Sequence, residues 1–193
     1  MNSEISKEIL KIEATPNPAT MIFRWSHPQL EQTYEFLNAQ EAEASPLAAK
    51  IFGFPWTQSV CLGPDFVSVS KQDWVDWDFL AEPLAGLIRQ HLEEGYPLYL
   101  PELQESPPDD ENAIRADDSE LIQKIKRTLD KEIRPMVAYD GGDVVFAKLE
   151  AGNLFLKFKG ACAGCPSKSV TLKQGIEVRL RELYPEILQV QST

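Results

Sequence analysis

An acidic, proline-containing stretch at residues 101–118 divides the chain into two parts. It holds three prolines, seven acidic residues and one basic residue. Like charges extend such a segment and proline stiffens it, which disfavours a place in a packed core. We therefore predict two domains, at 1–100 and 119–193, joined by a linker at 101–118. An ordered surface loop is the alternative, although loops of this length are uncommon inside a compact domain.

The net charge of -11 is distributed unevenly over these three segments. The first domain carries -8, the linker -6 and the second domain +3. Nucleic acid is disfavoured as a partner, because no strongly basic stripe is present to neutralise phosphates. A membrane partner is disfavoured too, since the apolar runs are far shorter than the ~20 residues of a membrane span. The N-terminus resembles neither a secretion signal nor an organelle presequence, so we predict a cytoplasmic protein, or else the mature form of an organelle protein.

The first domain has the pattern of a small α+β fold. Strand-like runs at 9–14 and 20–25 flank a turn that contains two prolines. A second hairpin is predicted at 59–71 around a Gly-Pro-Asp turn. Helices are predicted at 46–52 and along an apolar face that runs from Leu84 to Leu92 and ends at Gly95.

The second domain has the order helix, strand, strand, C-x-x-C, helix and a possible last strand. An apolar helical stripe runs from Leu121 to Ile133, and we expect Pro135 to end that helix. Strands at 143–150 and 153–160 flank a turn that contains glycine. Pro166 is expected just inside the start of the next helix, where proline is favoured. Helical periodicity continues from Leu172 to Leu183, and a last strand is possible at 186–190. The fold class is therefore α+β, as two small α+β domains.

Two of the three cysteines, Cys162 and Cys165, form the C-x-x-C between the second strand and the following helix. The partial positive charge of a helix N-terminus favours thiolate over thiol. Thiolates serve metal binding and disulfide exchange alike, so the local chemistry does not choose between them. Cys61 lies within a predicted strand, where a small buried hydrophobe is expected. His27 and His91 have no cysteine or histidine at ligand spacing.

The number of ligands limits what the cysteine pair can hold. One chain supplies two thiolates, and a thiolate metal site usually needs four ligands. Two copies of the chain would supply four thiolates, which is the number that a [4Fe–4S] cluster takes. A dithiol–disulfide oxidoreductase and a zinc-bridged structural dimer remain as alternatives.

The region from 133 to 186 closely resembles the C-terminal domain of NifU, found in the Nfu family of iron–sulfur cluster carriers. The matching motifs are Arg134-Pro135, Asp140-Gly141-Gly142-Asp143-Val144, Gly160-Ala161-Cys162, Gly164-Cys165-Pro166-Ser167, Thr171-Leu172-Lys173 and Gly175-Ile176-Glu177. The first domain resembles the Nfu N-terminal domain through Ala14-Thr15-Pro16-Asn17-Pro18, Ser45-Pro46-Leu47-Ala48, Ile51-Phe52 and Gly63-Pro64-Asp65-Phe66-Val67.

This resemblance implies a carrier or scaffold without enzymatic turnover. It implies that Cys162 and Cys165 are the metal ligands and that a [4Fe–4S] cluster is bridged between the two subunits of a homodimer. The implied partners are a scaffold that donates the cluster and apo-proteins that receive it.

The residues around the cysteine pair have expected structural roles. Gly141 and Gly142 are expected to adopt backbone conformations that other residues resist. Gly160 and Gly164 are expected to keep bulk away from the sulfurs. Asp140 and Asp143 are expected to cap turns rather than to act as an acid–base pair.

Overall fold

The chain folds into two α+β domains in the computed structural model, which describes residues 10–103, 112–163 and 169–193. The first domain contains a five-stranded sheet and the second a three-stranded sheet. Helices and sheets are combined in each domain. The predicted fold class is therefore confirmed.

The five-stranded sheet of the first domain is antiparallel and has the strand order β1-β2-β5-β4-β3. Both predicted hairpins form, as β1 with β2 and as β4 with β5. The strands are β1 Lys11–Ala14, β2 Thr20–Arg24, β3 Tyr34–Phe36, β4 Thr57–Leu62 and β5 Phe66–Lys71.

Two α-helices, α1 (Pro46–Phe52) and α2 (Trp77–Glu93), contribute to the core of the first domain. Helix α1 has the predicted bounds because the Ser45 side chain caps it and Pro46 occupies its first turn. The apolar face predicted from the sequence starts at Leu84, whereas helix α2 begins earlier, at Trp77. The helix ends at Glu93, two residues before Gly95. Within the described ranges, no helix is both long and apolar enough to cross a membrane.

The first helical segment of the second domain passes Pro135, so the prediction that this proline ends the helix is wrong. Helix α3 (Glu120–Thr128) leads into a π-helical turn (Leu129–Ile133) and then into α4 (Arg134–Tyr139). In this turn the N–H of Arg134 donates to the carbonyl of Leu129, five residues back. Pro135 thereby falls in the first turn of α4, where its missing N–H costs no helical hydrogen bond.

The sheet of the second domain has the order β6-β7-β8, with β6 at Gly142–Glu150, β7 at Asn153–Gly160 and β8 at Gln189–Ser192. Strands β6 and β7 form the predicted hairpin. Its two turn residues, Ala151 and Gly152, both have positive φ angles, of 48° and 81°. Strand β8 pairs parallel with β7, so the chain must cross over between them, and α5 (Ser169–Leu183) lies in that crossover.

The structure describes the predicted linker only at its ends, residues 101–103 and 112–118. Asn112 is fully buried, and its amide donates to the carbonyl of Lys126 and to Asp130. Lys126 in turn bonds Asp118 at 2.7 Å. Residues at this end therefore pack against the second domain, and the domain limits proposed from the sequence stay predictions.

Candidate metal centre

Cys162 lies two residues beyond the end of β7, where the chain turns away from the sheet. Its side chain is half-buried and packs against the core of the second domain. Cys165 and Gly164 lie outside the described residues, so the role of Cys165 as a second ligand and that of Gly164 as a residue that keeps bulk away from the sulfurs stay predictions. The expectation that the following helix begins near Pro166 falls on the same undescribed residues.

Cys162 also lines a groove of about 590 Å³ on the second domain. Helix α5 contributes Lys173, Gln174 and Glu177 to this groove, and β8 contributes Gln189 and Ser192. The walls combine polar and apolar surface, and they hold both a cation and a carboxylate. The groove therefore gives a second molecule a route to the Cys162 side chain.

Gly142, at the start of β6, leaves the space that the Cys162 sulfur occupies. A Cβ atom built on Gly142 would lie 2.7 Å from Cys162 Sγ and 2.7 Å from the carbonyl oxygen of Lys159. Both distances are shorter than van der Waals contact. Gly142 is therefore required for space, whereas the sequence had led us to expect a backbone conformation reserved for glycine.

Gly141 and Gly160 do adopt such conformations, with φ angles of 77° and 62°. The expectation for Gly141 is confirmed. The sulfur beside Gly160 belongs to Cys61: a Cβ on Gly160 would lie 3.0 Å from Cys61 Sγ and 2.6 Å from the carbonyl oxygen of Gly141. Gly160 thus allows close approach between the two domains at the end of β7.

Asp143, whose side chain is buried, forms an ion pair with Arg134 that no sequence pattern predicted. The guanidinium donates to both carboxylate oxygens, at 2.8 Å each, and Asp143 also accepts from the N–H of Val144. These hydrogen bonds raise the pKa of Arg134. The pair ties α4 to the start of β6, next to Gly142. An acidic and a basic residue nine positions apart are a weak signal on their own, since turn capping explained Asp143 equally well.

The other candidate ligand side chains lie elsewhere. Cys61 is 1% exposed in β4, and burial raises the pKa of its thiol, which disfavours the thiolate that a metal needs. His91 is buried in α2, where its Nε2 is 3.3 Å from the carbonyl oxygen of Pro97, and His27 is exposed. In the described part of the chain, which leaves out Cys165, no three His, Cys, Asp or Glu side chains form a metal-binding group.

Two family models match the chain, one in each domain. Residues 10–95 match the "Scaffold protein Nfu/NifU N terminal" family, and residues 125–191 match the "NifU-like domain" family. Together they cover most of both domains.

Curated relatives align along nearly the whole chain. NifU-like protein 5, mitochondrial, from Arabidopsis thaliana is 38% identical over 95% of this chain. The NFU1 iron-sulfur cluster scaffold homolog, mitochondrial, from Drosophila erecta is 37% identical over 95% of this chain. This chain spans 67% of the first relative and 64% of the second.

Among solved structures, the solution structure of a NifU-like protein from Saccharomyces cerevisiae matches 51% of this chain and 89% of its own. It has a TM-score of 0.45 and 24% sequence identity. The two family models and the curated relatives give the identification: this chain belongs to the NifU-like family, with an Nfu N-terminal domain followed by a NifU-like domain.

Proposed function

We propose that this protein carries a [4Fe–4S] cluster, bound by Cys162 and Cys165 of each of two subunits, and passes it to apo-proteins. The position of Cys162 is the observation that carries the proposal. Its side chain lies half-buried beyond a strand end, beside a glycine that leaves it space and at the edge of a groove. A thiol in such a place is held by the fold and can still be reached by a partner.

The ligand count favours a cluster shared between two subunits. One C-x-x-C supplies two of the four thiolates that a [4Fe–4S] cluster takes. Cys61 is a poor candidate for a third because its thiol is buried in the sheet and its pKa is raised. A twofold axis would bring the same loop of each subunit together.

Transfer requires only ligand exchange. Each client thiolate that binds an iron replaces one carrier thiolate, and the released carrier sulfur can take up a proton. The irons need not change oxidation state, and no bond of the protein backbone forms or breaks. The protein would act as a carrier without enzymatic turnover, and the cluster would be its cargo.

The partners follow from this role. A scaffold protein would donate the cluster, and proteins with unoccupied cysteine ligands would receive it. The relative from Drosophila erecta is named an iron-sulfur cluster scaffold, which supports this class of partner. Its name and that of the Arabidopsis relative include "mitochondrial". We propose that this chain works in the bacterial cytoplasm or, as the mature form, in an organelle.

The proposal is tested by measuring iron and acid-labile sulfide per chain, with the absorption spectrum and the mass in solution, on protein prepared without oxygen. We expect about two iron and two sulfide per chain in a dimer, which is one four-iron cluster for two C-x-x-C pairs. Zinc in place of iron would support the zinc-bridged dimer. A metal-free monomer that reduces insulin would support the oxidoreductase. A cluster held by one monomer would contradict the bridged site.

Alanine in place of Gly142 is expected to weaken cluster binding. The new methyl carbon would lie 2.7 Å from Cys162 Sγ and 2.7 Å from the carbonyl oxygen of Lys159, which is too close for either contact, so the sulfur must move. A substitution in a residue that contacts a metal ligand and shifts it typically lowers the metal affinity by about ten-fold or more. The measurement is the iron retained by Gly142→Ala during titration with a chelator.

Gly175→Ala is the matched control for this variant. Gly175 lies in α5, and a Cβ atom there would meet nothing within 4 Å. Its iron retention should equal that of the unmodified protein. Equal retention by Gly142→Ala and Gly175→Ala would show that the space beside Cys162 is not needed for binding.

A further inference from the structure

The five-stranded sheet of the first domain has two buried faces. Side chains alternate between faces along a strand. One face, with Phe23, Val60 and Val67, belongs to the core that α1 and α2 complete. The neighbouring residues Ile22 and Cys61 point to the opposite face, and each is only 1% exposed although neither belongs to that core.

The second domain covers this opposite face, which we call the docking face and define by Ile22, Glu35, Cys61 and Ser68. The Ser68 hydroxyl donates to the carbonyl of Gly141 at 2.7 Å. The N–H of Gly160 donates to a carboxylate oxygen of Glu35 at 2.7 Å. Both partners in the second domain are backbone groups, and Gly141 and Gly160 lie at the adjoining ends of β6 and β7.

Further bonds join the same two segments to the first domain. Arg24 donates to the carbonyls of Ala138 and Tyr139 at the end of α4, at 3.2 and 3.3 Å. Asn17 donates to the carbonyl of Ala161 at 3.4 Å. Ala161 is the residue before Cys162. The first domain therefore bonds the residues that lead into β6 and the residues at the end of β7. The residues after Gly160, which hold the cysteine pair and are called the cysteine loop, follow directly from this end of β7.

The two glycines at this contact indicate a close fit. A Cβ atom on Gly141 would lie 2.4 Å from the Ile22 side chain, and one on Gly160 would lie 3.0 Å from Cys61 Sγ. Only glycine allows the backbone of the second domain to approach the docking face this closely, and both residues also have left-handed backbone angles.

We propose that Glu35 is a positioning residue for Cys162: through its bond to the Gly160 N–H it holds the end of β7 in place while the first domain is docked. Glu35 lies on the edge strand β3, directly opposite Cys61 in β4. Gly160 lies two residues before Cys162. The first domain thus takes part in presenting the cysteine loop, and undocking would uncover Cys61. The role in presenting the cluster ligand rests on the proposed function, whereas the docking itself does not.

The docking is tested in the full-length chain with Cys162 and Cys165 replaced by alanine, where Cys61 is the remaining thiol. The measurement is the rate at which iodoacetamide alkylates Cys61. Removing the Glu35 carboxylate frees the Gly160 N–H, and a hydrogen bond to a charged group is strong enough that Glu35→Ala should raise this rate about ten-fold or more. Glu43→Ala is a control, since Glu43 is an exposed acid of the same domain, and it should leave the rate unchanged.

Glu35→Gln separates the hydrogen bond from the charge. The Glu35 charge also raises the pKa of Cys61, after burial, so losing it would by itself speed alkylation. Glutamine removes the charge and keeps an oxygen that can accept from Gly160. We expect a much smaller rise for Glu35→Gln than for Glu35→Ala. Equal rises would assign the effect to charge and overturn the positioning role, as would equal rates for Glu35→Ala and Glu43→Ala.

The positioning of the cysteine loop is tested with all three cysteines present. Cluster-loaded Glu35→Ala should lose its iron to a chelator several-fold faster than the unmodified protein. The rate of iron loss from Glu35→Gln should lie close to that of the unmodified protein. If Glu35→Ala speeds the alkylation of Cys61 but leaves the rate of iron loss unchanged, Glu35 supports docking of the two domains. The positioning role is then overturned. The alkylation experiment uses no cluster, so it gives a result even if the proposed function fails.

Discussion

Serine in place of both Cys162 and Cys165 is expected to abolish bound iron and sulfide. A cysteine thiol ionises with a pKa near 8.5 and less at a helix N-terminus, whereas a serine hydroxyl stays protonated and gives iron no thiolate. The expected fall is from about two iron per chain to essentially none. Iron and sulfide analysis and the loss of visible absorption measure it.

Single variants sharpen this test. In a shared site, Cys162→Ser alone removes two of the four ligands of a dimer, so iron binding should fall almost as far as in the double variant. Cys61→Ser is the control: this side chain is buried in β4, and the replacement is similar in size. It should bind iron normally. Iron retained by the double variant would place the metal elsewhere in the chain.

Methionine in place of Arg134 is expected to destabilise the second domain by about 3–5 kcal/mol, the usual cost of leaving a buried charge without its partner. The Asp143 side chain is only 4% exposed and would lose two hydrogen bonds of 2.8 Å. Methionine has similar length and keeps much of the packing. The measurement is the free energy of unfolding of the metal-free protein in urea, followed by circular dichroism.

Arg179→Met is the matched control for this variant. Arg179 also bonds a carboxylate at 2.8 Å, that of Glu132, but the two side chains are 45% and 43% exposed. Exposed pairs contribute at most about 1 kcal/mol. All four tryptophans precede the linker, so fluorescence reports the first domain separately. Equal losses for Arg134→Met and Arg179→Met would show that burial of the Arg134–Asp143 pair adds no stability.

Local sequence signals predicted most of the elements. Helix α1 was predicted with its observed bounds because a capping serine and a proline mark its start. Both hairpins of the first domain and the β6–β7 hairpin were predicted from alternating apolar residues around turn residues. The prediction at Pro135 was wrong because a π-helical turn precedes it and places the proline in the first turn of α4. No local pattern marked that turn.

Contacts between residues distant in the sequence were not predictable in this way. Ser68 bonds a carbonyl 73 residues away, Glu35 an amide 125 residues away and Asn17 a carbonyl 144 residues away. Each of these side chains has an ordinary local role in a strand or a turn. Nothing in a neighbouring residue shows that its polar group bonds the other domain.

The sequence by itself determined the α+β fold class, the type of most elements and the C-x-x-C spacing, since periodicity, turn residues and motif spacing are local properties of the chain. Only the tertiary structure decided that the first domain covers the base of the cysteine loop, that Cys61 lies against Gly160 and that Gly142 makes room for Cys162. The physical reason is that these three contacts depend on close packing between surfaces from distant segments. A glycine is the same in the sequence whether it allows a turn, leaves space for a sulfur or lets a second domain approach.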